Sequence, residues 1–153
     1  MTDNCKNTIE AYGKLAKLYQ DKFMDLDLYN DTYDAFCEAI PHEAATVFEI
    51  GCGPGNITRY LVSRRPDFKI FSTDAAPEMV DLARVNVPQA TFEVMDCREI
   101  SSITQKFNAI ICGFCMPYLS KEDCSTLISD CASLLESDGI FYFSVIEGDY
   151  ARS

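Results

Sequence analysis

The sequence predicts an α/β fold: one doubly wound, mostly parallel sheet of about five strands with helices on both faces. Three observations lead there. From Ala45 onward, short apolar runs alternate with helix-length segments, the rhythm of strand, crossover and strand. The first run, Val47-Phe48-Glu49-Ile50, breaks directly into glycines at positions 51, 53 and 55. Four successive strands end on acidic or glycine residues, at the edge where open α/β sheets bind their ligands.

Before the alternation, Ile9, Tyr12, Ala16, Tyr19 and Phe23 recur at helical spacing and predict one amphipathic helix with an aromatic face. A second helix is expected over about 31–40, where Pro41 stops it. Strands follow at 45–50, 68–73, 91–95, 107–112 and 140–146, with helices at 56–64, 77–86 and 121–136. Pro77 suits a first helical turn, Ser120 with Asp123 resembles a capping box, and Asp138-Gly139 is expected to end the last helix and turn into the fifth strand. The segment 97–106 has room only for a turn or a short helix. The run Ile140 to Ile146 is almost wholly apolar, as in a strand with neighbours on both sides, and as an edge it invites pairing with a second copy.

The 153 residues bound one domain: helices over 1–44, a core over 45–146 and a tail over 147–153. A net charge of -11 without a basic stripe repels a phosphate backbone, so nucleic acid is not an expected partner. No apolar run reaches the length of a membrane span and the first residues are too polar for a secretory signal, so the expected location is the cytoplasm. The cysteine spacing gives no paired zinc cluster, and no metal is expected. Cys124 and Cys131 fall on the apolar face of the last helix. Cys112-x-x-Cys115 matches a dithiol redox pattern, but its place at the fourth strand favours thiols that line a pocket. His42, the only histidine, precedes the first strand, at the edge of the sheet away from the ligand.

The glycines allow a sharp turn and a close approach to a ligand, and the helix after them directs its free N–H groups there. Asn56 stands where a dinucleotide turn has its third glycine, which shifts weight away from a pyrophosphate. Asp74, twenty-one residues beyond Gly53, can accept from both hydroxyls of a ribose or cap the helix of Pro77. Glu49 either braces the turn or touches the ligand, Asp96 either reads a ligand or caps a turn, and Met79 is either core or platform.

Taken in order, these features resemble class I S-adenosylmethionine-dependent methyltransferases over about residues 45–146. The resemblance implies the strand order 3-2-1-4-5 and the cofactor S-adenosylmethionine. It sets Glu49 and the turn Gly51, Cys52, Gly53 and Gly55 against the methionine and ribose, and Asp74 on the ribose hydroxyls. Ala75 and Met79 would line the adenine, Asp96 and Cys97 would read its edge, and Cys112 and Gly113 would face the methionine amine. Tyr12, Tyr19, Phe114, Met116 and Tyr118 are candidates for the acceptor pocket, with Phe23 nearby and Glu147 and Asp149 after the fifth strand. No residue is assigned as a base, because an acceptor that is already nucleophilic needs none.

Such proteins usually carry two further strands, and their absence here leads to the expectation of a shortened chain. The expected function is methyl transfer to a small-molecule acceptor by in-line displacement. The alternatives are a non-catalytic cofactor-binding module and a nicotinamide-dependent oxidoreductase.

Overall fold

The computed structural model describes residues 4–148. Five parallel strands, β1 (Thr46–Ile50), β2 (Lys69–Asp74), β3 (Thr91–Val94), β4 (Phe107–Cys112) and β5 (Leu135–Phe143), lie in the order β3-β2-β1-β4-β5. This is the doubly wound arrangement expected from the sequence. Helices α1 (Asn4–Lys14), α2 (Ala16–Phe23) and α3 (Asn30–Ala39) precede the sheet; α4 (Asn56–Arg64), α5 (Pro77–Asn86) and α6 (Lys121–Leu134) connect its strands. Between β3 and β4 the chain makes only a short 3₁₀ helix, Cys97–Ser102, capped by the Asp96 carboxylate accepting from the Arg98 N–H.

Alternate residues of the central strands feed two cores. Val47, Ala109 and Ile111 pack with Leu61 of α4 and with Tyr33 and Phe36 of α3 on one face. Phe48, Ile50 and Ile110 pack with Leu127, Cys131 and Leu134 of α6 on the other. The near-continuous apolar character of β4 reflects this two-sided burial.

Two expectations change in detail. The first amphipathic stretch is two helices, because Leu15 leaves helical geometry (φ -104°, ψ 11°) just after Gly13, which lies close against Glu78 of α5. The last strand begins five residues earlier than expected, at Leu135 rather than 140, and ends at Phe143. Leu135 pairs with Phe107 and Ile140 with Ala109, so 136–139 bulge out of register, with Asp138 at φ +63°. The Ser144 N–H makes a last bond to the Cys112 carbonyl, where β4 ends; Val145 and Ile146 beyond it are exposed.

Arg65, just after α4, ties the preface to the sheet. Its guanidinium donates to the carbonyls of Cys37, Ile40 and His42 and pairs with Asp67, which in turn accepts from the Ala44 N–H. His42 is exposed in this connection at the amino end of the sheet, as expected.

Candidate functional site

Parallel register brings the predicted strand ends to one level. Ile50 lies beside Thr73 on one side and Cys112 on the other, so Gly51, Asp74 and Gly113 emerge together at the carboxyl edge. The turn needs its glycines: Gly51, Gly53 and Gly55 have φ of +71°, +55° and +89°, a region that costs other residues about 1–2 kcal/mol. Close approach adds to this at Gly55, where an added Cβ would meet Val87 Cγ2 at 3.2 Å.

Asp74 holds the turn in place. Its Oδ2 accepts from the Gly53 N–H at 2.8 Å and its Oδ1 from the Ala76 N–H at 2.9 Å, the latter leading into α5. Burial pushes its pKa up, against the pull of these two donors. Ala75 is half-buried between them, whereas Met79 is buried against Ala16 and Ala76, with Tyr12 and Tyr19 packed on the group.

Glu49 lies beneath the turn, 1% exposed. Its Oε1 accepts from the hydroxyls of Thr58 and of Ser72, the latter at 3.0 Å, while Oε2 has no partner. Burial raises its pKa from the ordinary carboxylate range to about 7, in spite of these two hydroxyls. Neither Thr58 nor Ser72 was legible as part of the site; the only sequence signal for Ser72 is its register opposite Glu49.

Cys52 is buried with Val80 and Ala83 of α5. Asp96 is ion-paired with Arg98 at 2.7 Å, which holds its pKa below the usual range. Beside it, the bond with Cys115 and burial raise the Cys97 thiol, and the bond with Cys112 and burial raise Cys115 against the opposing pull of Cys97. None of the eight cysteines forms a disulfide, and no metal-binding group of His, Cys, Asp or Glu occurs among the described residues. Gly113 packs against Ile57 at the start of α4.

The helical preface closes over this edge. Tyr19 sits against Gly53, with its Cε1 3.6 Å from the position of an added Cβ. Tyr12 packs edge-on to Tyr19 and to Tyr118, centroids 5.7 and 5.4 Å apart, and its hydroxyl hydrogen-bonds that of Tyr118. Phe114, at φ +60°, packs on Tyr29, and Phe23 on Tyr19. Met116 is buried within the core of Ile50 and Leu127. Glu147 is exposed beyond β5; Asp149 lies outside the described residues. At the far end of the cover, Asn86 of α5 donates to Gln20 Oε1 and to the Pro54 carbonyl, and Arg59 of α4 to the Met24 carbonyl and Asp25. These latches carried no sequence signal.

Residues 47–139, which include the turn, Asp74, Asp96 and Gly113, match the family described as Methyltransferase domain. The chain belongs to this family. Its fold and strand order are those of a class I methyltransferase domain. Among its relatives is malonyl-[acyl-carrier protein] O-methyltransferase of Acetivibrio thermocellus, 28% identical over 92% of this chain and 46% of that protein. Trans-aconitate 2-methyltransferase of Variovorax paradoxus is 48% identical over 35% of this chain and 21% of that protein. This methyltransferase domain thus spans less than half the length of these relatives. In structure it is similar to magnesium protoporphyrin IX methyltransferase of Synechocystis with bound S-adenosylmethionine, at TM-score 0.73, 17% identity, 89% of this chain and 74% of that one. A similar fold is found in an S-adenosylmethionine-dependent methyltransferase of Clostridium acetobutylicum, at TM-score 0.69, 22% identity, 87% of this chain and 56% of that one.

Proposed function

We propose that the chain binds S-adenosylmethionine at the glycine turn and transfers its methyl group to a small-molecule acceptor. One observation carries this reading: a positive-φ glycine turn lies level with Asp74 and Gly113, above a buried Glu49 oxygen that has no partner. An uncompensated buried acceptor calls for a donor, which a ligand amine or its bound water would supply. The relatives' named activities and the S-adenosylmethionine in the Synechocystis structure support the same reading.

The residues present fit that cofactor. Gly51, Cys52, Gly53 and Gly55 would face the methionine and ribose through their backbone. Asp74, whose oxygens retain accepting capacity beyond two N–H bonds, would take the ribose hydroxyls. Ala75 and Met79 would flank the adenine, Asp96 and Cys97 its polar edge, and Cys112 and Gly113 the methionine amine over Glu49. Bound there, the cofactor would offer an electrophilic methyl to an acceptor lone pair, its sulfur keeping the old bonding pair and the acceptor's proton passing to solvent. Tyr12, Tyr19, Phe114 and Tyr118 would wall the acceptor side, which favours in-line placement and exclusion of water. Met116 would support that wall from the core.

Calorimetric titration with S-adenosylhomocysteine and with NAD tests the cofactor: we expect the first to bind and the second not, and binding of NAD alone sinks the proposal. A product 14 mass units above its acceptor distinguishes a transferase from a cofactor-binding module. The same reading includes a homodimer through β5, supported by Phe143, Val145 and Ile146, exposed by 48, 61 and 77%; a monomer by light scattering would overturn that part. Eight cysteines outside any disulfide support a cytoplasmic location, and the net charge of -11 supports partners other than nucleic acid.

A further inference from the structure

We infer that Ser144 is a positioning residue for the cofactor site: its hydroxyl holds the loop 113–115 in the left-handed conformation that sets it against the glycine turn. This rests on the glycine turn being the S-adenosylmethionine site.

Phe114 is the signal. It has φ +60°, in the left-handed region that a bulky side chain rarely adopts. Strain of this kind persists only where neighbouring bonds over-determine the backbone, and it gathers at sites that bind or react. Here the determining bond comes from 30 residues along the chain: the Phe114 N–H donates to Ser144 Oγ at 2.9 Å, in a part-buried position. Ser144 is fixed in turn by its backbone, whose N–H donates to the Cys112 carbonyl at 3.3 Å just past the end of β5. The two bonds form a strap that leaves β4 at Cys112, crosses to Ser144 and returns at Phe114, with Gly113 enclosed between its ends.

Three successive residues depend on that strap. Gly113, set against the methionine amine in the proposed function, lies so close to Ile57 that an added Cβ would meet Ile57 Cδ1 at 2.8 Å. The ring of Phe114 rests on Tyr29, just ahead of α3, with centroids 4.8 Å apart. Cys115 lies along the turn, its Cβ 3.4 Å and its Sγ 3.7 Å from where a Cβ on Gly51 would stand. A relaxed, negative φ at Phe114 would turn the chain elsewhere and break this alignment. The strain of one left-handed residue and the net gain from one hydrogen bond are of similar size, so loss of the Ser144 hydroxyl releases the loop. Ser144 thus acts on the cofactor through Gly113 and Cys115.

Calorimetric titration of the full chain with S-adenosylhomocysteine tests the cofactor reading by itself; no binding to the wild type sinks that reading and this inference with it. With binding established, Ser144→Ala should weaken it by about tenfold, whereas Ser144→Thr, which keeps the hydroxyl, should stay within about threefold. If Ser144→Ala does not fold, Ser144→Cys takes its place, because a thiol accepts only weakly. A second series starts from Phe114→Gly, whose glycine takes φ +60° without strain. In that background Ser144→Ala should weaken binding by less than about threefold. A merely structural role predicts a different pattern, a lower urea midpoint with S-adenosylhomocysteine affinity unchanged. Unchanged affinity in the folded Ser144→Ala or Ser144→Cys variant, absence of rescue by threonine, or an undiminished loss in the Phe114→Gly background overturns the inference.

Discussion

The glycine turn and the helices over it are held by different kinds of bond. In the turn, a buried carboxylate takes two backbone N–H groups, and neighbouring strands fix both ends by their ladders. The cover is held by side chains reaching across: Tyr12 to Tyr118, Asn86 to Gln20 and Arg59 to Asp25 and the Met24 carbonyl. The second set is partly exposed, and such bonds contribute little each. The turn is thus held by more strongly made bonds than the cover is.

Asp74→Ala should strike the floor hardest. It removes two charge-assisted bonds to part-buried N–H groups, a loss of roughly 3 kcal/mol in urea unfolding. A loss below about 1 kcal/mol would mean that the strands alone set the turn, and that floor and cover are less different than their bonds suggest.

Glu49→Gln probes the same floor through pH. Glu49 binds its proton more tightly folded, at about 7, than unfolded, so its favourable contribution is complete below the unfolded value and drains away as pH rises to 7. The wild type should therefore lose roughly 3 kcal/mol relative to Glu49→Gln between about pH 4.5 and 7. Parallel stability profiles for the two proteins would show that the carboxyl group is not isolated from water.

Gly53→Ala separates conformation from space. The nearest atom, in Tyr19, leaves room for a methyl group at 3.6 Å, so the expected cost is the strain of φ +55°, about 1–2 kcal/mol by thermal unfolding. A larger loss would mean that the Tyr19 ring is forced away and that the cover is tighter than its latches imply.

Tyr118→Phe tests the cover and should have the smallest effect on stability, below about 1 kcal/mol. Its readout is local: amide exchange should quicken in α1 and α2 and stay unchanged in β1 and β4. Faster exchange in the strands would show that floor and cover open together.

The floor was legible because its signals are local. β4 and α4 lie where their apolar patterns put them, and Asp74 stands one residue past a recognisable run, within reach of the turn it holds. The cover was less so. Its helical spacing was visible, but the break at Leu15 has no local signal, and Asn86 and Arg59 find partners 66 and 34 residues away. β5 shows the same limit: Asp138-Gly139 does turn the chain into the 140–143 ladder, but the earlier pairing of Leu135 with Phe107 is a tertiary contact with no local signal. Glu49 illustrates the boundary case, its burial evident from an apolar strand and its unpartnered oxygen not.

Arg65 has a further consequence, a mechanical one. Tension applied at the amino end meets α1 and α2 first, where latches break one at a time as the helices peel. It then reaches 37–42, where one guanidinium grips three carbonyls and Asp67 at once. There one side chain shares the load over several bonds, so this point should yield later than the single latches before it.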